Sequence, residues 1–167
     1  MGDIQHLQNK EAVKKIKEIA ENKVGHFCTF REGFKFISRP MHTQEVDENG
    51  RFWFFSGKDS NKNNEIRQND KVQLLYAIDG KYEYLSIEGT ATISTDREKI
   101  DELWNGFVKA WFTEGKDDPN LTLIEITPSS GYYWDTKDGK MVSLMKIAAG
   151  ALTGKTMDGG VEGKLTM

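Results

Sequence analysis

The spacing of apolar and polar residues changes character several times along the chain. From Asn9 to about Asn22, Val13, Ile16, Ile19 and Ala20 recur near helical spacing, with Lys14, Lys15, Lys17 and Glu18 on the wet side. This predicts an amphipathic helix with Asn9 as N-cap and Glu11 at the positive end of its first turn. One apolar stripe on so short a helix needs a partner, so it is expected to cover part of a sheet. From Val24 the period falls to two. Gly25–Phe30 reads as a strand, Glu32-Gly33 as a connector, and the run from Phe34 to Arg39 as a second strand. Phe34, Phe36 and Ser38 share one face of it, Lys35, Ile37 and Arg39 the other. Pro40 cannot donate to a ladder and marks an edge, a bulge or the end of pairing.

Asn49-Gly50 is a hairpin turn signal before the aromatic strand Arg51–Ser56. Ser60 to about Gln68 reads as a short helix anchored by Ile66, and Val72–Ala77 as the next strand. Lys81 through Ile93 is the longest alternating stretch, with Gly89 expected to allow a bend or close packing. Thr95-Asp96-Arg97-Glu98 has the form of a capping box. It is followed by Ile100, Leu103, Trp104, Phe107, Val108, Trp111 and Phe112 at the spacing of one helix, ended by Gly115 and Pro119. Leu121–Ile126 and Ser130–Asp135 are two further strands. Residues 1–139 therefore read as one domain. Residues 140–167 read as an extension, with a short helix around Val142–Leu152 and then a glycine-rich tail. Strands joined by tight turns, with helices at the periphery, predict a mainly β fold and favour an antiparallel or mixed barrel over a doubly wound sheet.

Composition narrows the function classes. Of 167 residues, 23 are Lys or Arg and 26 Asp or Glu, a formal charge of −3, so there is no electrostatic case for nucleic acid. The one cysteine, Cys28, excludes an intrachain disulfide and any cysteine-based zinc cluster. No window approaches the length of an apolar membrane span, and the N-terminus lacks a secretory signal pattern. A cytoplasmic location is expected. Walker and GxGxxG fingerprints are absent, and His6, His26 and His42 are scattered without metal-ligand spacing. The concentrated feature is Ser38-Arg39-Pro40-Met41, then Phe55-Ser56, then Ser60-Asn61-Lys62. It puts cations and hydroxyls at two strand ends and a helix start, where an incoming phosphate finds charge and free N–H groups. The same residues also suit an ordinary capped surface helix.

At these residues the chain resembles the pyridoxamine 5′-phosphate oxidase-like superfamily, and more closely its general stress protein 26-like branch. The pieces that carry the resemblance are ISRPM at 37–41, FWFFSGKDSNKNNEIRQND at 52–70, YLSIEGTATI at 84–93, KIDELWNGFVKAWFTEGKDDP at 99–119 and LIEITPSSGYYWD at 123–135. The resemblance implies a six-stranded antiparallel split β-barrel that forms a homodimer with FMN at the subunit interface. By similarity Arg39 and Lys62 contact the FMN phosphate, helped by Ser56 and Ser60. Ser38, Pro40 and Met41 border the isoalloxazine, and Phe55 lies beside it. Asn61 stands where the oxidase often has arginine, which weakens one phosphate contact. Trp111 and Phe112 look like the aromatic pair that this branch presents toward the flavin from the partner subunit, with Trp134 a further neighbour. The Arg-x-His pattern by which the true oxidase recognises its substrate is absent, so pyridoxine biosynthesis is not expected. The implied function is an FMN-dependent oxidoreductase of unassigned substrate, drawing on a nicotinamide or another small-molecule electron donor. Two alternatives stand beside it: a flavin-binding sensor or storage protein with little turnover, and an interaction module that has lost FMN.

Overall fold

The computed structural model describes residues 3–31, 35–78, 80–136 and 160–166. Two short strands, β1 (Asp3–Ile4) and β2 (Leu7–Gln8), precede the helix α1 (Asn9–Ala20). Ala12, Ile16, Ile19 and Ala20 form its buried stripe, so the helix covers the sheet as its pattern predicts. Asn9 is not its cap. It is the first helical residue, at φ 50, and Gln8 precedes it without a side-chain capping bond.

The remaining strands are β3 (Val24–Arg31), β4 (Lys35–His42), β5 (Glu45–Val46), β6 (Phe52–Gly57), β7 (Lys71–Ile78), β8 (Glu83–Ser94), β9 (Leu121–Thr136) and β10 (Gly160–Thr166). They make one ten-stranded sheet in the order β1-β10-β9-β8-β7-β3-β4, with β2 on β10, β6 on β9 and β5 on β6. The expected closed six-stranded split β-barrel is overturned. Among the described residues no ladder joins the ends of this order, because β4 pairs with β3 and β6 with β5 and β9. The cause lies in β9. One edge of this 16-residue strand follows β8, while the other is divided between β6, along Leu121–Ile126, and β10, along Gly131–Thr136. The sheet therefore branches where a barrel would close. Pro40, lacking an N–H, sits in the terminal strand β4, the edge position that its chemistry allows.

Leu121–Ile126 and Ser130–Asp135 are thus parts of one strand and not two. The register shifts between Glu88 and Gly89, opposite Ser129, as a β-bulge. A Cβ on Gly89 would lie 2.7 Å from the Thr127 carbonyl oxygen, the close approach expected of this glycine. β10 runs antiparallel to β9 and parallel to β1 and β2, where the glycine-rich pattern suggested a looser tail. The expected helix at 142–152 lies outside the described residues.

Two apolar clusters hold the sheet. The larger lies under α1 and contains Phe27, Phe52, Phe54, Leu74, Ile87, Ile124 and Tyr133 among others. The smaller contains Trp53, Ile100, Val108, Phe112, Leu121 and Leu123, with Phe55, Leu103 and Trp104 packed against it. β6 feeds both, Phe52 and Phe54 into one and Trp53 and Phe55 into the other, which explains its unbroken aromatic run.

The helix α2 (Asn61–Gln68) follows β6, and α3 (Arg97–Leu103) and α4 (Gly106–Lys109) follow β8. The single helix expected through Phe112 is in fact two. Asn105 caps α4, accepting from the N–H groups of Phe107 and Val108, and Trp104 ends α3 in extended conformation. The cap of α3 is Asp96, which accepts from Glu98 and Lys99 N–H, so Thr95 does not play that part. No helix among the described residues is long and apolar enough to cross a membrane.

Candidate functional site

Gly57 ends β6, and three residues later Ser60 caps α2, its hydroxyl accepting from the Asn63 N–H. Behind this turn lies a buried hydrogen-bond network. The Ser56 hydroxyl is 3.2 Å from that of Ser60 and donates to Asn63 Oδ1 at 2.7 Å. Asn63 Nδ2 donates to Thr122 Oγ1 at 3.0 Å, and Thr122 donates to the Ser56 carbonyl at 2.9 Å. Ser56, Asn63 and Thr122 are all buried. Buried polar groups this well satisfied fix the strand-to-helix turn. The N–H groups of Asn61 and Lys62, in the first turn of α2, have no acceptor among the described residues.

A second cluster lies against the same helix. Across the β3–β4 ladder Phe27 faces Arg39 and Thr29 faces Ile37, so Thr29 and Arg39 project from one side of the hairpin. Arg39 donates to Thr29 Oγ1 at 3.0 Å and to Glu65 Oε2 at 2.6 Å. Arg31 donates to Glu65 Oε1 at 2.6 Å, and Thr29 donates to Glu65 Oε2. One carboxylate on α2 therefore binds two guanidinium groups and a hydroxyl. Burial pushes the Glu65 carboxyl up, but the hydrogen bonds from Thr29 and Arg31 and the charge of Arg39 outweigh it and hold it below its ordinary value.

Lys62 sits three residues before Glu65 on α2. Burial lowers its pKa, Arg39 lowers it further, and Glu65 opposes them. Its ammonium has no hydrogen-bonded carboxylate among the described residues. Arg39 and Lys62 thus feel one another's charge at α2, whose start is capped by Ser60 and backed by Ser56.

The other expected site residues lie elsewhere around it. Ser38 and Pro40 are exposed on β4, while Met41, on the same side of the strand as Arg39, packs against the larger core. The Ser38 hydroxyl is 2.9 Å from His26 Nδ1 on the outer face. Phe55 points away from Ser56, into the smaller cluster, with its ring 6.1 Å from Trp104 and 6.5 Å from Phe112. Asn61 opens α2 and is exposed. Phe112 is buried and Trp111 is 80% exposed, so the two do not face the same way. Phe107, 81% exposed, shares the surface with Trp111 instead and stacks on His42 at 6.4 Å. Trp134 is partly exposed on β9, its ring 4.7 Å from Tyr132.

Four polar residues of these clusters escape a reading of the sequence: Arg31, Glu65, Asn63 and Thr122. The one local signal was a lone acid in a helix otherwise made of Asn, Gln, Lys, Arg and one Ile.

Residues 11–158 match the family model described as pyridoxamine 5′-phosphate oxidase like. General stress protein 26 of Bacillus subtilis (strain 168) is 31% identical over 126 residues, covering 73% of this chain and 87% of that protein. The structure of a general stress protein 26 from Jannaschia sp. CCS1 matches with a TM-score of 0.76 at 29% identity, covering 93% of this chain and 95% of that one. A general stress FMN/FAD binding protein from Xanthomonas citri matches with a TM-score of 0.63 at 27% identity, covering 76% and 87% respectively. With the family model spanning most of its length, the chain belongs to the pyridoxamine 5′-phosphate oxidase-like family, in its general stress protein 26 branch.

Proposed function

We propose that this protein binds FMN and acts as an oxidoreductase of the general stress protein type, its substrate unassigned. The observation that carries the reading is the positive region at the start of α2. Lys62 lies in the first turn of α2, feels the charge of Arg39, and follows the cap Ser60, whose hydroxyl meets that of Ser56; the N–H groups of Asn61 and Lys62 have no acceptor among the described residues. This donor set fits a phosphate monoester, which brings about −1.5 to −2 charge and three acceptor oxygens. The similar Xanthomonas citri protein, an FMN/FAD binding protein by description, supports flavin as the group that bears it. When bound, the flavin ring supplies hydride or electron transfer at its own atoms.

The roles of the chain's residues follow from their places. Arg39 and Lys62 hold the phosphate by charge, Arg39 with a fork that Glu65 and Thr29 keep in one orientation. Ser60 donates its hydroxyl, and Ser56, whose proton goes to Asn63, supports Ser60 from behind. Ser38, Pro40 and Met41 on the edge strand, with Asn61 at the helix start, border the remainder of the ligand. Phe55 and Phe112 act from behind, as packing for β6. Trp111, exposed, is offered to a second copy of the chain in a homodimer, with the flavin between subunits. The electron donor is a nicotinamide or another small molecule.

The test is a titration of flavin-free protein with FMN and with riboflavin, which lacks the phosphate. Wild type is expected to prefer FMN. Arg39→Ala and Lys62→Ala should each cut FMN affinity about tenfold or more, on the order of 1.5–3 kcal/mol for a hydrogen bond to a charged group. Riboflavin affinity should hardly move. Equal losses for both ligands would defeat the phosphate assignment.

A further inference from the structure

We infer that Arg31 is a second guanidinium of the phosphate cradle, and that Glu65 positions it there. The inference rests on the flavin-phosphate reading above and adds a residue to it. Arg31 ends β3, and its Nη2 donates to Glu65 Oε1 at 2.6 Å, while Arg39 Nη2 donates to Glu65 Oε2 at the same distance. The two oxygens of one carboxylate therefore hold the two guanidinium groups side by side.

Thr29 and Arg39 both bond Glu65 Oε2, and among the described residues Arg31 is the partner of Oε1. The Glu65 side chain is 5% exposed, and Arg39, 21% exposed, pairs with it beside the Thr29 hydroxyl. Arg31 is 51% exposed and makes one side-chain hydrogen bond among the described residues, so most of its five N–H donors face outward. Its charge is a surplus at this place. Arg31, Arg39 and Lys62 against Glu65 leave a net charge of 3 − 1 = +2. A phosphate monoester dianion neutralises that balance; a neutral sugar or a single carboxylate does not.

The surplus also meets a deficit. Asn61, a neutral amide, opens α2 immediately before Lys62. Arg31 reaches the same helix from the sheet, through Glu65. The cation that α2 lacks at its own start is supplied across the fold by β3.

The experiment uses the full chain, freed of flavin, and measures the ratio of FMN to riboflavin affinity for wild type, Arg31→Gln, Arg31→Lys and Arg67→Gln. Arg67 lies on the same helix, bonded to Asn64 and the Lys58 carbonyl, and controls for the loss of one charge from the surface. Arg31→Gln should lower the ratio about tenfold, Arg31→Lys should restore part of it, and Arg67→Gln should leave it within about twofold. Thr29 and Arg39 still bond Glu65 Oε2, so the fold should survive Arg31→Gln at some cost in stability, which thermal unfolding measures. A wild type that prefers FMN, with Arg31→Gln showing the same ratio, would overturn the role of Arg31 and leave the proposed function standing. Equal loss of both ligands in Arg31→Gln would overturn it too, by making the residue a structural support. A wild type without preference for FMN would remove the phosphate site itself, and this inference with it.

Discussion

Glu65 shows how one residue joins stability to the site. Its lowered pKa has a definite sign. A carboxyl held below its unfolded value, near 4.5, contributes stability that is fully present above that value and is lost as pH falls through the folded one. Glu65→Gln should therefore be less stable than wild type at pH 7, and the gap should narrow below about pH 4.5. Urea midpoints across pH 3–7 measure this, and a gap independent of pH would show that the charge of Glu65 is not what holds the cluster. Arg39, Lys62, Ser56 and Ser60 were legible in the sequence because they sit at strand ends and at a cap, where local pattern speaks. Arg31, Glu65, Asn63 and Thr122 were not. Arg31 and Glu65 are 34 positions apart, and Thr122 meets Ser56 across 66. The packing of α2 against β3 and the register of β6 with β9 bring them together.

At the scale of elements, the periodicities located β3, β4, β6, β7, β8 and β9 and the first two helices, but missed β1, β2, β5 and β10, and did not show how far each element runs or what it joins. The stripe from Ile100 to Phe112 keeps helical spacing straight through a break. Asn105 prefers to cap, Gly106 adds little helix propensity, and together they start a new helix over the smaller cluster. The resemblance implied closure of the sheet, yet closure depends on which edges remain free, and β9 gives its second edge to two strands in succession. The last of these, β10, carries its own condition. A Cβ on Gly163 would lie 1.8 Å from the backbone oxygen of Gln5, between the two short strands that pair with β10. Backbone cannot swing aside as a side chain does. Gly163→Ala should therefore cost about 1–3 kcal/mol and loosen the N-terminal segment. Thermal unfolding together with amide exchange at Gln5 and Lys164 checks this, and unchanged protection there would mean that the strands accommodate a methyl group.

Among the described residues, two aromatic side chains are left nearly bare. Phe107 and Trp111 are 81% and 80% exposed, four positions apart, one in α4 and one just beyond it, and the Phe107 ring stacks on His42 of the strand that carries Ser38 to Met41. An isolated exposed aromatic is ordinary; a pair beside the candidate site of a chain proposed to dimerise is a surface on which binding energy concentrates. A second copy docking there would bury Trp111 and place protein against the flavin region. The variant Trp111→Ala is then expected to raise the dimer dissociation constant about tenfold or more, roughly 2 kcal/mol for a central aromatic. Sedimentation velocity over a concentration series measures it directly. If the partner helps to enclose the site, FMN affinity should fall in parallel when protein is diluted below that constant, and riboflavin affinity should fall with it, because the partner acts on the ring and not on the phosphate. A dimer unchanged by Trp111→Ala would take the end of α4 out of the interface. The separation of the two effects is the useful part: Arg39 and Lys62 govern the difference between the two flavins, whereas Trp111 governs how both respond to protein concentration.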